Sequence, residues 1–326
     1  FRVPPELAEA DARVRGLSAQ AATTQAVGTP LVDVAVGYTN GIVGMFGSDA
    51  AARTRINHLV SLTNLAYENS NIDGRIRLVH AMLVSYSDLE SNSDALSDLT
   101  GYDGDGNIPV PASLEPLRTA RETYGADLVV LLRRFNDPEH VSCGVAWLLG
   151  GGKQNLTTGF SPYGYSVVSD SDGNNFPDGG FICDDDTFAH ELGHNMGNAH
   201  DRDTAAGDDG TLDDPDDYGR FQYSFGHKTG FADGNFFTIM TYGDSGQTSF
   251  RVFSNPDITF CGTRACGITD VVDNARSMRS TMLTIANFRA TVVPLPEGSS
   301  ARNDVNGDGK SDIFWRAQVA SGSNFR

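Results

Sequence analysis

Three histidines near the middle of the chain impose the strongest constraint on what it can fold into. His190 and His194 are four residues apart, and His200 follows within the stretch HELGHNMGNAHD. On an α-helix, residues four apart lie on one face, so both rings can direct a nitrogen at the same point. Gly197 falls where such a helix has to end, because glycine adopts the left-handed cap conformation without a Cβ penalty. The sequence therefore predicts a helix, a glycine turn and a third imidazole that returns to the same point.

This spacing indicates a catalytic metal site. Three neutral imidazoles are a typical zinc ligand set, and they leave one tetrahedral position open for water. Glu191 lies about 100° around the helix from the first histidine, beside the water position rather than on the metal. We predict His190, His194 and His200 as zinc ligands and Glu191 as the general base. The alternative is that these histidines are ordinary polar residues on a helix, but it does not account for the complete pattern with its glycine turn.

The extended motif resembles that of the metzincin zinc endopeptidases, which also carry a methionine turn after the third histidine. Residues 238–243, TIMTYG, supply such a turn. The resemblance implies that Met240 packs beneath the zinc ligands as a hydrophobic floor, a role that agrees with an ordinary core position. It also implies that Tyr242 reaches the metal or donates a hydrogen bond to the developing oxyanion, as in astacin-like and serralysin-like members. Plain packing is the alternative role for Tyr242.

Other segments are similar to the reprolysin-like branch of the metzincins. These are Asp201 directly after the third histidine, Cys143 to Leu148, Phe253 to Asp257 and Asp273 to Arg276. Bacterial reprolysin-like peptidases, including the peptidyl-Asp metalloendopeptidase group, share the last two. The resemblance implies an α/β (α+β) fold: a two-lobed catalytic domain with a mixed twisted sheet, an active-site helix and a C-terminal helix. It also implies that Gly144 to Leu148 is an antiparallel edge strand, and an edge strand can pair with an extended peptide.

The hydrophobic periodicity on both sides of the motif favours the same fold class. Leu31 to Thr39 predicts a strand, and Ser48 predicts an N-cap before a helix with an apolar stripe. The nearly continuous apolar run from Ala126 to Leu132 is typical of a central strand that is covered on both faces. Thr269 and Asp270 are predicted to open the last helix, whose apolar residues fall at three- and four-residue steps.

The two ends of the chain differ in composition from its middle. Residues 1–30 predict a pro-segment remnant or linker, residues 31–293 the catalytic domain, and residues 294–302 a linker. Residues 303–326 resemble part of a calcium-binding FG-GAP-type repeat, because oxygen ligands recur at every second position, with glycines for a tight loop, as in calcium loops. The predicted calcium ligands are Asp304, Asn306, Asp308, Lys310 and Asp312. We therefore expect calcium besides zinc.

The overall charge and the start of the chain bear on partners and compartment. A formal net charge of −18 disfavours nucleic acid, whose phosphates would be repelled. The sequence has no run of about 18 apolar residues, so no membrane span is predicted. Because the chain starts at Phe1 rather than Met, we expect that a signal peptide has been removed and that the protein is a secreted monomer.

The four cysteines fit an oxidising compartment, since an even number allows complete pairing. Cys261 and Cys266 are close enough to close one local loop, which leaves Cys143 to pair with Cys183. A cysteine-ligated zinc is the competing interpretation, but the spacing lacks paired Cys-x-x-Cys units.

Charged residues near the motif raise three further expectations. Asp184 to Asp186 place negative charge at the start of the histidine helix, and one of them is expected to be its N-cap. Residues 201–217 contain eight aspartates among small residues, so this segment is either a mobile acidic surface or a calcium site. Arg220, Lys228 and Arg251 are candidates for receiving an acidic side chain of a substrate, with none of them favoured.

The function predicted from these features is that of a secreted zinc endopeptidase, in which metal-activated water attacks the peptide bond and Glu191 serves as the base. One alternative is a zinc hydrolase that acts on cell-wall amide bonds. Another is an inactive calcium-dependent adhesion or binding module. The edge strand and the methionine turn favour peptide substrates, and the undamaged motif favours an active enzyme.

Overall fold

A five-stranded mixed sheet forms the centre of the fold. The computed structural model describes Val3 and residues 29–137, 139–173 and 182–294. The strands are β1 (Leu31–Tyr38), β2 (Arg75–Leu83), β3 (Leu128–Arg134), β4 (Gly144–Ala146) and β5 (Tyr165–Asp170), in the spatial order β2-β1-β3-β5-β4. Strands β2, β1, β3 and β5 are parallel, whereas β4 pairs antiparallel with β5 at the edge. The short strands β6 (Phe236–Phe237) and β7 (Thr248–Ser249) pair with each other.

Helices connect the strands and continue beyond the sheet. They are α1 (Asn40–Phe46), α2 (Asp49–Asn69), α3 (Asn92–Thr100), α4 (Glu115–Tyr124), α5 (Thr187–Asn195), α6 (Arg202–Ala205) and α7 (Asn274–Ile285). Successive residues of β1 and β3 are buried on both faces of the sheet, as expected for strands of a parallel sheet that is covered on both sides. The predicted mixed α/β fold is therefore confirmed, as is the position of the apolar run from Ala126 to Leu132 at the centre of the sheet.

The start of helix α2 is where the sequence predicts it, whereas the start of helix α7 is not. The Ser48 side chain accepts a hydrogen bond from the backbone N–H of Ala51, which confirms the predicted N-cap of α2. The last helix does not open at Thr269 and Asp270, so that prediction is wrong. Asp270 has a left-handed φ of 60°, so its backbone cannot be part of a right-handed helix. Helix α7 begins after Asp273, whose side chain accepts the backbone N–H of Arg276.

Two disulfides confirm the predicted pairing, because Cys143 is bonded to Cys183 and Cys261 to Cys266. The predicted calcium ligands Asp304, Asn306, Asp308, Lys310 and Asp312 lie outside the described residues. No helix among the described residues is long and apolar enough to span a bilayer.

A buried ion pair joins β1 to β2 and to the end of the described chain. Arg77 donates two hydrogen bonds to the Asp33 carboxylate, at 2.8 and 2.7 Å, and both side chains are almost completely buried. The same guanidinium donates to the backbone carbonyls of Val293 and Pro294. Burial raises the pKa of Asp33, and the neighbouring Arg77 partly offsets this increase. Because one side chain serves three segments, its removal leaves both a buried carboxylate and two carbonyls without their donor.

We predict that Arg77→Ala lowers the free energy of unfolding by about 3–5 kcal/mol, the usual effect of breaking a buried pair from one side. Urea unfolding followed by circular dichroism measures this change. Arg276→Ala is the control, because it removes an exposed pair with Asp270 and is expected to cost less than about 1 kcal/mol. Equal effects of the two substitutions would contradict this account of the buried pair.

Candidate metal centre and cleft

Helix α5 carries the first two histidines, and its end turns the chain toward the third. Gly197 has a φ of 88°, and its N–H donates to the carbonyl of His194 while the N–H of Asn198 donates to that of Gly193. This pair of hydrogen bonds is the Schellman motif, which closes a helix with a left-handed residue. The predicted glycine turn is therefore present, and it brings His200 back to the two histidines of the helix.

The start of α5 is held by charge and by a disulfide. Asp186 occupies the N-cap position expected for one of residues 184–186, but its side chain pairs with Arg251 instead of capping the helix. Arg55 of α2 binds Asp170 at the end of β5 and Asp185 just before α5. The Cys143–Cys183 disulfide ties the residue before the edge strand β4 to the same region. These contacts fix α5 against the edge of the sheet.

The three imidazoles meet at one point. The Nε2 atom of His200 lies 3.1 Å from Nε2 of His194 and 3.1 Å from Nε2 of His190. The opposite ring nitrogens bind backbone carbonyls: His190 Nδ1 donates to Ile239 at 2.7 Å, and His194 Nδ1 donates to Asn198 at 2.8 Å. With the Nδ1 atoms protonated in this way, the Nε2 lone pairs of those two rings point inward, as metal ligation requires.

This donor set fits zinc. Three nitrogens of a tetrahedral site with Zn–N distances of about 2.0–2.1 Å lie about 3.4 Å apart, close to the spacing found here. Burial lowers the pKa of His190 to about 4 and of His200 to about 3, and it also lowers the pKa of His194. The rings are therefore neutral at physiological pH, which is the state that binds a metal. Within the described ranges, these three residues are the one group of His, Cys, Asp and Glu side chains that could hold a metal ion.

Glu191 lies beside this point, and one of its two carboxylate oxygens makes no hydrogen bond with the described residues. The residue is only 4% exposed, and its Oε2 atom has no hydrogen-bond partner among the described residues. Burial raises the pKa of Glu191 to about 8, and a cation held by the three imidazoles would lower it again. Gly144 of the edge strand leaves the room that this carboxylate needs, because a Cβ there would lie 2.4 Å from Glu191 Oε1.

Met240 packs under the histidine helix. It is fully buried, and a Cβ on Gly193 would lie 2.4 Å from the Met240 sulfur and 3.0 Å from the Phe253 ring. The methionine therefore fills the space left by the absence of a side chain between the two helical histidines. This geometry agrees with the floor expected from the sequence, and it explains why residue 193 is glycine.

Tyr242 stands over the histidines at the mouth of the site. Its ring centroid lies 4.5 Å from that of His200 and 5.9 Å from that of His190. The residue keeps 55% of its surface exposed and lines the same cavity as Glu191. Burial within this cavity, together with the charges of Glu191 and Asp201, raises the pKa of Tyr242 to about 12. The phenol is therefore protonated at neutral pH and can act as a hydrogen-bond donor.

A buried polar network behind His194 was not apparent from the sequence. Asn198, whose carbonyl binds the His194 ring, accepts a hydrogen bond through its side chain from Asn274 at 2.9 Å. The Ser254 hydroxyl lies between two acceptors, the side-chain oxygen of Asn274 at 3.0 Å and the carbonyl oxygen of Phe225 at 2.6 Å, and can donate its one proton to either. The segments that resemble reprolysin-like enzymes at residues 253–257 and 273–276 therefore support the ligand loop from behind. Their similarity to that branch was the available signal, but it did not identify the contact.

A cavity of about 410 Å³ opens beside the histidines and follows the edge strand. Its lining residues are Ser142, Gly144, Val145, Ala146, Leu148, Glu191, His194, Ala199, His200, Thr204, Ala205, Asp216, Asp217 and Tyr242. The three cations considered for an acidic substrate side chain are not among them. Arg220 donates to Asn155, Arg251 pairs with Asp186, and Lys228 lies near two aspartates. The structure therefore does not support an acid-binding role for any of the three in this cavity.

The acidic segment after His200 folds into short turns that its own carboxylates cap. Asp201 accepts hydrogen bonds from the backbone N–H and the hydroxyl of Thr204, at the start of α6. Short 3-10 helices follow at Gly207–Asp209 and Pro215–Asp217. The described residues bring no three carboxylates of this segment together around one point, so they give no support to the calcium interpretation of this segment.

Comparisons with known proteins agree with this geometry. Residues 29–272 match the model of the reprolysin-like metallopeptidase family M12B. A protein of Pseudomonas aeruginosa named peptidyl-Asp metalloendopeptidase is 30% identical over 276 residues, which is 81% of this chain. The chain spans 41% of the length of that relative. A chain in a solved structure of a chaperone-substrate complex superposes with a TM-score of 0.55 and 17% identity, over 80% of this chain and 35% of that one, which shows similarity of fold.

We predict that Asn274→Ala weakens zinc binding by about 10–100-fold, because supports behind a ligand usually contribute that much to metal affinity. Titration against a chromophoric chelator measures the zinc affinity. Asn287→Ala is the matched control, since Asn287 is exposed and donates to the Leu283 carbonyl, away from the histidines. If both variants bind zinc like the original protein, the Asn198–Asn274 contact does not position His194.

Proposed function

Because the chain belongs to the reprolysin-like M12B metallopeptidase family, we propose that it is a zinc-dependent endopeptidase that hydrolyses peptide bonds within proteins. One observation carries the proposal: three neutral imidazoles converge on one point beside a buried carboxylate whose Oε2 atom has no partner in the described part of the chain. A carboxylate in this position can exchange protons with a water at the same point, which is the chemistry that peptide hydrolysis needs.

His190, His194 and His200 would hold the zinc through their Nε2 atoms. When bound, zinc supplies a Lewis acid that lowers the pKa of water and polarises the peptide carbonyl. Glu191 accepts the proton of the attacking water at its carboxylate and delivers it to the nitrogen of the departing amine. The absence of a side chain at Gly144 leaves the carboxylate room beside the edge strand.

Tyr242 is proposed as a donor to the oxyanion of the tetrahedral intermediate. Its ring lies against His200, and its phenol keeps its proton at neutral pH. A donor already held at the place where negative charge develops stabilises the transition state more than the ground state. This role is supported by the position of the ring at the cavity mouth.

The edge strand is proposed to hold the polypeptide substrate. Strand β4 pairs with β5 on one side, and its residues Gly144 to Ala146 line the cavity on the other. An extended peptide can add to such an edge through main-chain hydrogen bonds. This feature favours protein substrates over the amide bonds of cell-wall material.

An extracellular location is proposed on the basis of the two disulfides, which form and persist in oxidising compartments. The monomeric state, the domain boundaries and the calcium loop at Asp304 to Asp312 remain predictions from the sequence.

We predict that Glu191→Gln retains zinc but loses turnover by at least about 10²–10⁴-fold, because glutamine cannot accept the proton. Metal analysis and hydrolysis of casein measure the two properties separately. His200→Ala is expected to lose stoichiometric zinc, since only two imidazoles remain. Full activity of Glu191→Gln on casein would overturn the assignment of the base.

A further inference from the structure

A second cavity, apart from the one beside the histidines, is lined mainly by positive charge. Its volume is about 430 Å³, which is in the range of small-molecule sites. The two cavities share no lining residue among the described parts of the chain. The charged residues in the second lining are Arg118, Arg121, Glu122 and Arg289. Three cations and one anion therefore surround this space, in a chain whose formal net charge is −18.

Arg121 of α4 is a buried cation with an unused donor. Its side chain is fully buried. Its Nε donates to the carbonyl of Ala126, and its Nη2 donates to the carbonyls of Asp127 and Ser161, whereas Nη1 has no hydrogen-bond partner among the described residues. No carboxylate of these residues forms an ion pair with it. Because arginine keeps its proton in proteins, a buried positive charge remains without a counter-charge, which is unfavourable.

Arg118 places a second cation beside the first. The two residues are three apart on α4, so they are neighbours on its surface. Their guanidinium carbons lie 5.6 and 4.6 Å from the centre of the same ring, that of Tyr165. Arg118 donates through Nη1 to the carbonyls of Leu99 and Thr100, and its Nε and Nη2 make no hydrogen bond with the described residues. Two like charges this close repel each other unless an anion compensates them.

The other two charges of the lining already compensate each other. Nε and Nη2 of Arg289 donate to the Glu122 carboxylate at 2.9 and 2.6 Å. Burial is the main cause that lowers the pKa of Arg121, and the positive charge of Arg289 adds to it. A bound anion would oppose both effects, because it favours the charged form of the guanidinium. The uncompensated charge of the cavity is therefore that of Arg118 and Arg121.

We propose that this cavity binds a compact oxyanion, a phosphate or carboxylate group, through Arg118 and Arg121. The planar guanidinium presents paired N–H donors that match the oxygens of both groups. The free Nε and Nη2 donors of Arg118 contact the anion, and the buried charge of Arg121 adds electrostatic attraction. The site is independent of the peptidase function proposed above, and it stands or falls separately.

Isothermal titration calorimetry tests the proposal on the full zinc-loaded chain, with inorganic phosphate and with benzoate as separate probes. Sodium chloride at about 0.15 M screens non-specific attraction. We expect at least one probe to bind with a Kd below about 1 mM, and the comparison of the two separates phosphate from carboxylate recognition. Arg118→Gln is expected to weaken this binding about tenfold or more, because it removes a charge-assisted hydrogen bond.

Asn107→Asp tests the charge of the cavity and leaves every arginine in place. Asn107 is exposed and belongs to the lining, so a carboxylate there competes with the anion and is expected to weaken binding about threefold. The matched control is Asn71→Asp, which adds the same charge at an exposed position outside the lining. We expect this control to bind the probe like the original protein.

His200→Ala separates this site from the metal centre, because an anion bound to zinc would be lost in that variant, whereas binding at Arg118 is expected to persist. The proposal is overturned if both probes have a Kd above about 1 mM, if binding is lost in His200→Ala, or if folded Arg118→Gln binds like the original protein. Circular dichroism establishes whether Arg118→Gln is folded. If it is not, Asn107→Asp decides, and equal binding by Asn107→Asp and Asn71→Asp then overturns the proposal.

Discussion

The approach of three neutral imidazole nitrogens to one point is the interaction on which the rest of the site depends. Ring nitrogens 3.1 Å apart in a buried place repel one another through their lone pairs unless a cation or a shared proton lies between them. Backbone carbonyls of Ile239 and Asn198 fix two of the rings in the ligating orientation. The glycine turn after α5 then determines where the third ring arrives. Met240 below the histidine helix, the carboxylate of Glu191 and the cavity are arranged around this point.

The sheet positions the partners of the metal centre through contacts between distant segments. Strand β4 lies over Glu191, and the Cys143–Cys183 disulfide ties that strand to the start of α5. Arg55 binds one carboxylate at the end of β5 and another just before α5. From below, Met240 and the polar network behind His194 support the helix and the loop. The site therefore depends on rigid elements from both sides of the cleft, as precise catalytic geometry requires.

The parts of the site that follow from local rules could be predicted from the sequence, whereas contacts between distant segments could not. The spacing of His190 and His194 and the conformation of Gly197 are properties of one helix and its end. The predicted start of α7 was wrong, because helical periodicity does not determine where this helix begins. Its start depends on the preceding turn, in which Asp270 is left-handed. Asn198 and Asn274 meet only because the fold brings their segments together. The same holds for the edge strand that lies over the catalytic carboxylate.

X-ray absorption spectroscopy at the zinc edge of the purified protein tests the central claim most directly. The account predicts one zinc per chain, with three imidazole nitrogens at about 2.0–2.1 Å and one further light-atom ligand. Sulfur ligation, or a spectrum without histidine ligands, would contradict it.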